Sequence, residues 1–138
     1  MRSINEKEEL DVETLGQVFT QRSIVDTMCS MMKNTGAILE PSSGDGAFAF
    51  QLPQERLTAI EFDARFAERH QFIHMDFFAL PLDKKFSTII GNPPYVRYQE
   101  IHSDTKEMLG EYAELFDRRT NLYLLFIYKC ILHLEEGG

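Results

Sequence analysis

The sequence predicts an α/β fold, a mostly parallel sheet flanked by helices. Three observations predict it. Short apolar, β-like runs alternate with stretches of helical periodicity. Four of those runs end in a polar residue: Glu40, Glu61, Asp76 and Asn92. A turn with two glycines, Gly44 and Gly46, joins the first run to the segment after it. Open parallel sheets bind ligands beyond the carboxyl ends of their strands, so the four polar residues are expected along one edge.

A first helix is expected over residues 23–33, with Thr20 or Ser23 as its cap. Ile24, Val25, Met28, Met31 and Met32 form its buried face, and Gly36 follows its end. Residues 37–40 read as the first strand, 41–46 as a tight turn, and 47–52 as a helix that Pro53 stops. The second strand is expected over 57–62, a short helix over 63–69, the third strand over 72–75, and the fourth over 86–90, leading into Gly91 and Asn92. An irregular polar stretch, 93–103, precedes helical character over 104–116. The last helix, 121–135, is almost continuously apolar through Leu122, Leu124, Leu125, Phe126, Ile127, Ile131, Leu132 and Leu134, a pattern that expects burial. Gly137-Gly138 after such a helix normally turns into another strand. The chain therefore reads as one partial domain, truncated after the fourth strand and the helices that follow it.

At 138 residues, with 43% hydrophobic and 12% aromatic content, the chain has material for a single core and not for two. A net charge of -8 is unfavourable for gripping phosphate backbones, which takes Lys and Arg. Any nucleic acid would be held mainly by other regions. Cys29 and Cys130 sit far apart in apolar runs without metal-ligand spacing, as core cysteines of a reduced, cytosolic protein do. The charged start, Asn5 to Glu9, excludes a secretory signal, and no apolar run approaches a membrane span, so a soluble protein is expected. His70, His74, His102 and His133 share no spacing, and no metal is expected; the charges from Glu6 to Glu13 read as a solvated helix face.

Glu40-Pro41-Ser42-Ser43-Gly44-Asp45-Gly46 is the first chemical motif. Its glycines permit a sharp turn and close approach of a ligand to the backbone. No Gly-Lys-Ser/Thr follows, so it is not a P-loop, and the spacing is not G-x-G-x-x-G. Asp45 inside the turn would repel a pyrophosphate; the acidic residues suit a cationic or hydroxyl-rich ligand. Glu61 ends the second strand about twenty residues later, where a carboxylate can accept both hydroxyls of an adenosine ribose. Asp76, before Phe77 and Phe78, can accept from an adenine amino group while an aromatic neighbour packs the ring.

Asn92-Pro93-Pro94-Tyr95 is the strongest feature. Two prolines fix the chain just past a strand and set Asn92 and Tyr95 in fixed directions. An exocyclic amine on a purine is a poor nucleophile because its lone pair is delocalised into the ring. The Asn carboxamide oxygen and an adjacent backbone carbonyl can accept both amine hydrogens, favouring a pyramidal nitrogen with its lone pair aimed at a methyl donor. Tyr95 can stack on the base once it leaves the duplex, a contact worth roughly 1–3 kcal/mol.

With these motifs in this order, the chain resembles the amino-methylating DNA methyltransferases of restriction-modification systems, in the gamma motif order, from about Gly16 to Gly138. The resemblance implies a Rossmann-like class I fold and S-adenosyl-L-methionine as cofactor. It also implies adenine N6 in DNA as the acceptor, reached by base flipping and direct in-line transfer with no covalent enzyme intermediate. In that family a segment similar to Gly16-Gln17-Val18-Phe19-Thr20 contacts the methionine end of the cofactor, although Gln21 stands where a proline is common. By the same resemblance Glu40, Pro41, Ser42, Gly44, Asp45 and Gly46 border the methionine moiety, Glu61 takes the ribose, and Asp76 takes the adenine amino group. Phe62, Phe77 and Phe126 line the adenine pocket, and Asn92 and Pro94 border the cofactor as well as the acceptor. Phe126 belongs to Asn121-Leu122-Tyr123-Leu124-Leu125-Phe126, which resembles the family's next motif.

The later strands, a second aromatic to sandwich the base, and a target-recognition domain are what the family has and this sequence lacks. A basic region outside it would bind the DNA, a cognate restriction endonuclease is the implied partner, and the 138 residues alone are not expected to methylate DNA. No Pro-Cys pair is present, which argues against the cytosine-C5 route. The nearest rival is a glutamine-N5 protein methyltransferase of release-factor type, which also uses Asn-Pro-Pro-Tyr. Cytosine-N4 DNA methylation, ribosomal RNA methylation and a non-catalytic cofactor-binding module follow. The segment ending at Thr20 and the Glu-Pro-Ser turn favour the DNA family.

Overall fold

Ile38 and Leu39 are neighbours in sequence, both are fully buried, and they belong to different hydrophobic clusters. Successive residues of a strand point to opposite faces, so this strand is covered on both sides. In this computed structural model residues 19–94, 101, 103–110 and 121–138 are described. The strands are β1 (Ile38–Glu40), β2 (Leu57–Glu61), β3 (Ile73–His74) and β4 (Thr88–Ile89); the helices are α1 (Arg22–Ser30), α2 (Ala64–His70), α3 (Ser103–Leu109) and α4 (Leu122–Leu132). The sheet runs in the order β3-β2-β1-β4, with every pair parallel. One face carries Leu39, Ile60, Phe77, Phe86, Leu125 and Phe126, under α4. The other carries Ile38, Phe48, Leu52 and Ile90, under Val25, Met28, Cys29 and Met32 of α1 and its end. This is a Rossmann-like α/β arrangement. Because β2 lies on one side of β1 and β4 on the other, the order reverses at β1, the switch point where open parallel sheets form a ligand crevice beyond their carboxyl ends.

Several boundaries differ from the sequence reading, each for a local reason. The cap of α1 is Gln21, with no side-chain bond, and neither Thr20 nor Ser23 serves. Thr20 is engaged with Asn92 instead, and Ser23 lies inside the helix, its carbonyl accepting from the Thr27 hydroxyl. α1 ends at Ser30 rather than near 33, as the chain tightens into i→i−3 bonds from Met31 and Met32. Met31, expected in the core, is 67% exposed, and Ile24 is exposed too. Gly36 does not cap the helix; a Cβ there would stand 2.6 Å from Ser87 Oγ, so it lets β4 approach.

The helix expected over 47–52 is only a 3-10 turn, Ala49–Gln51. Its Leu52 is already extended ahead of Pro53, which leaves no room for an α turn. β3 is shorter than 72–75 because Phe72 gives its N–H to Ala67 O, closing α2 over the left-handed Gln71 in a Schellman cap. β4 is shorter than 86–90, and Phe86 pairs with Leu134 in a parallel bridge. α4 stops at Leu132 for the same reason, as Glu135 N donates to Phe86 O. Leu134 thus makes an isolated parallel bridge with Phe86, next to β4. α4 buries one stripe, including Leu125 and Phe126, and leaves Leu124 and Ile131 exposed, against the expectation of burial all round. Of the helix expected over 104–116, α3 is the described part; 111–120 lie outside the described residues, as does Tyr95. Among the described residues no helix is long and apolar enough to cross a membrane.

Candidate functional site

Glu40 ends β1, Glu61 ends β2, Asp76 follows β3 and Asn92 follows β4, so parallel pairing brings all four to one edge as expected. Between β1 and β2 the turn is built on positive φ at Gly44 (54°) and Gly46 (85°). Ser43 N donates to Ile60 O at 2.9 Å and Gly46 N to Ser43 O at 2.8 Å, which pins the turn to the neighbouring strand. Asp45 is exposed and accepts from Ala47 N at 3.1 Å, shaping the exit. Pro41 is buried beneath.

Two buried carboxyls hold this turn from below. Glu61 accepts from Gly44 N at 2.8 Å through one oxygen and from Asp63 N at 2.6 Å through the other. Glu40 accepts from Ser42 N at 2.8 Å and is 1% exposed. Burial pushes its carboxyl up to about 8, aided by the negative charges of Glu61 and Asp45 against the opposing Ser42 bonds. Burial also raises Glu61, helped by the charge of Asp63 and partly offset by backbone N–H donors at Asp63, Gly44 and Phe62.

Across the crevice, Ser42 Oγ donates to the backbone carbonyl of Asn92 at 3.0 Å, and Asn92 Nδ2 donates to Thr20 Oγ1 at 3.1 Å. These bonds link residues far apart in sequence and orient the Asn92 carboxamide. Asn92 is exposed, with Pro93 and Pro94 half-buried behind it. Gly91 was not singled out in the sequence, yet a Cβ on it would lie 2.4 Å from Glu40 Oε1, so only glycine lets β4 pass the buried acid. A glycine directly before the tetrapeptide is the signal that can find it. Phe19 lies half-open above the turn, edge-on to Phe66 at 5.7 Å and near Gly44.

The aromatic residues divide. Phe62 is 39% exposed at the open edge, whereas Phe77 and Phe126 are 2% and 4% exposed and meet edge-to-face at 4.6 Å in the core. The structure therefore places Phe77 and Phe126 as backing rather than as an open wall. Asp76 caps the 3-10 turn Phe77–Ala79 through Phe78 N, and its second oxygen accepts from the hydroxyl of Thr105. Thr105 gave no sequence signal. Lys129 is buried, donates to Leu80 O at 2.7 Å and lies 5.4 Å over the Phe77 ring. A single charge inside the apolar run of α4 was its legible mark. Among the described residues no group of three or more His, Cys, Asp or Glu can hold a metal ion.

Residues 21–138 match the family described as the Eco57I restriction-modification methylase. The Type II methyltransferase M.HincII of Haemophilus influenzae is 38% identical over 134 residues, covering 91% of this chain and 26% of that protein. The modification methylase CviBIII of Paramecium bursaria Chlorella virus NC1A is 34% identical over 116 residues, covering 74% of this chain and 29% of its own length. The chain spans less than a third of either relative. A match that runs from the first helix through the glycine turn, the tetrapeptide and α4 covers every element that builds the crevice, and this chain belongs to the Eco57I family of restriction-modification methylases.

Proposed function

We propose that this chain is the cofactor-binding and catalytic-motif part of an enzyme that methylates N6 of adenine in DNA. It uses S-adenosylmethionine, the gamma order of motifs and a base turned out of the duplex. The observation that carries the reading is Asn92 at the switch point, exposed, oriented by Thr20 and bonded through its carbonyl to the Ser42 of the glycine turn. The donor set fits the cofactor: two glycines at positive φ leave the turn open to close approach, and two buried acids suit a ligand with an ammonium, a sulfonium and ribose hydroxyls. When bound, S-adenosylmethionine supplies an electrophilic methyl group for in-line transfer.

Glu40, Ser42 and Gly44 hold the methionine end, with Phe19 and Thr20 beside it. Glu61 binds the ribose through its remaining acceptor capacity, and Asp76 binds the adenine amino group. Phe62 offers the open aromatic edge, and Phe77 and Phe126 stiffen the wall behind. Asn92 accepts the hydrogens of the target amine together with a neighbouring backbone carbonyl, keeping the nitrogen pyramidal; Pro93 and Pro94 hold that geometry. Tyr95 stacks on the flipped base. A basic region elsewhere in the enzyme holds the DNA, in the cytoplasm of a cell with a cognate restriction endonuclease.

Tritiated methyl transfer by the enzyme carrying this chain, offered DNA, RNA and release-factor protein, tests the reading. Label is expected in DNA alone, as N6-methyladenine. Asn92→Ala is expected to lower transfer by at least about 100-fold while cofactor affinity stays within about threefold. Label in a glutamine side chain, in RNA or in cytosine overturns the assignment, and a parallel loss of cofactor affinity overturns the role of Asn92.

A further inference from the structure

We infer that Thr105 is a positioning residue for cofactor recognition: it orients the Asp76 carboxylate so that the site selects a 6-aminopurine over a 6-oxopurine. The inference rests on the proposed role of Asp76 toward the adenine amino group. Asp76 lies past the short strand β3, where two residues of pairing hold little of the chain. One of its oxygens is bound by Phe78 N at 3.0 Å, within its own turn. The other accepts from Thr105 Oγ1 on α3, 29 residues away. Thr105 lies in the first turn of α3, and its buried hydroxyl reaches out of its own helix.

Asp76 is only half-buried, so water can solvate its carboxylate and Thr105 is not needed to rescue a stranded charge. What the second bond adds is direction. Two donors on different elements fix the plane of the carboxylate, and an ionised carboxylate has about four lone-pair sites, so acceptor capacity remains for a ligand. An amino group at C6 donates to it; a carbonyl at C6 presents a lone pair and is repelled. α3 packs over the turn Phe77–Ala79, so the bond joins two elements already in contact.

The test is the ratio of affinities for S-adenosylhomocysteine and S-inosylhomocysteine, measured by calorimetry in the enzyme that carries this chain. The unaltered protein is expected to prefer the amino compound. Thr105→Val is expected to reduce that preference about tenfold, with most of the loss in affinity for S-adenosylhomocysteine. Thr105→Ser, which keeps the hydroxyl, restores it. Thr105→Ala, which only removes atoms, replaces the valine variant if that one does not fold. Asp76→Ala abolishes the preference. If Asp76→Ala abolishes it while Thr105→Val and Thr105→Ala keep it, or if they weaken both ligands equally, Thr105 is structural and the inference is overturned. If Asp76→Ala leaves the preference intact, the role of Asp76 falls and the inference falls with it.

Discussion

The polar residues that end the strands form two pairs, and the two are held by different chemistry. Glu40 and Glu61, on the central strands, are buried and accept from backbone N–H groups at Ser42, Gly44 and Asp63. Asp76 and Asn92, past the outer strands, are more open, and each bonds a side-chain hydroxyl from a distant segment, Thr105 and Thr20, with Asp76 also accepting from Phe78 N. The inner pair sets the shape of the turn and bears the electrostatic cost of burial, which shows in their raised proton affinity. The outer pair is more open and is oriented by tertiary hydrogen bonds. Equivalent positions at the ends of parallel strands thus differ in burial and in what holds them, according to how much of the sheet surrounds them.

Glu40→Gln probes the inner pair with the largest expected effect. The carboxyl of Glu40 is raised from 4.5 to about 8 by folding, so the stability it lends is full below pH 4.5 and is lost as pH rises through about 8. Glu61 acts in the same direction. Relative to the glutamine variant, the unaltered protein should therefore lose on the order of 5 kcal/mol across that window, read from urea unfolding at each pH. A flat difference would mean that Glu40 ionises as a surface acid does, and the contrast between the pairs would collapse.

Gly91→Ala comes next. Its new Cβ meets Glu40 Oε1 at 2.4 Å and Cδ at 2.8 Å, and the buried acid has nowhere to move, so overpacking should cost about 2–3 kcal/mol by the same measurement. Tolerance of the alanine would show that Glu40 is as mobile as the outer pair. The smallest effect sharpens the comparison. Asp63 caps α2 by accepting from Arg65 N at 2.9 Å, and its own N–H holds Glu61. Asp63→Ala removes the cap and keeps that N–H, so it should cost about 1 kcal/mol in stability and leave affinity for S-adenosylhomocysteine unchanged. A large loss of affinity would mean that the Asp63 side chain, and not backbone alone, holds Glu61.

Legibility followed the range of each interaction. The strands around Ile38, Ile60 and Thr88 were readable because their apolar runs are local, and Asp63 and Asn121 cap the helices that begin after them. The turn at Gly44 and Gly46 was readable because only glycine takes those φ values freely. Met31, Leu124 and Ile131 were misplaced because a helix against one face of a sheet buries a single stripe, and composition does not say which residues fall outside it. The short 3-10 turn at Ala49–Gln51 and the Schellman cap at Gln71 depend on bond geometry that periodicity does not carry.

By itself, the sequence determined which polar residues lie at or just past the strand ends, where the backbone must turn sharply, and that two prolines restrict the chain after Asn92, since these follow from neighbours within a few positions. Only the tertiary structure decided the order β3-β2-β1-β4, and with it the meeting of Thr20, Ser42 and Asn92 in one crevice. It alone decided that Gly91 passes over a buried acid, that Thr105 answers Asp76 and that Lys129 lies against Phe77. Those contacts join residues 29 to 72 positions apart, or depend on how two faces pack, and neither the helical nor the strand repeat encodes a partner at that distance.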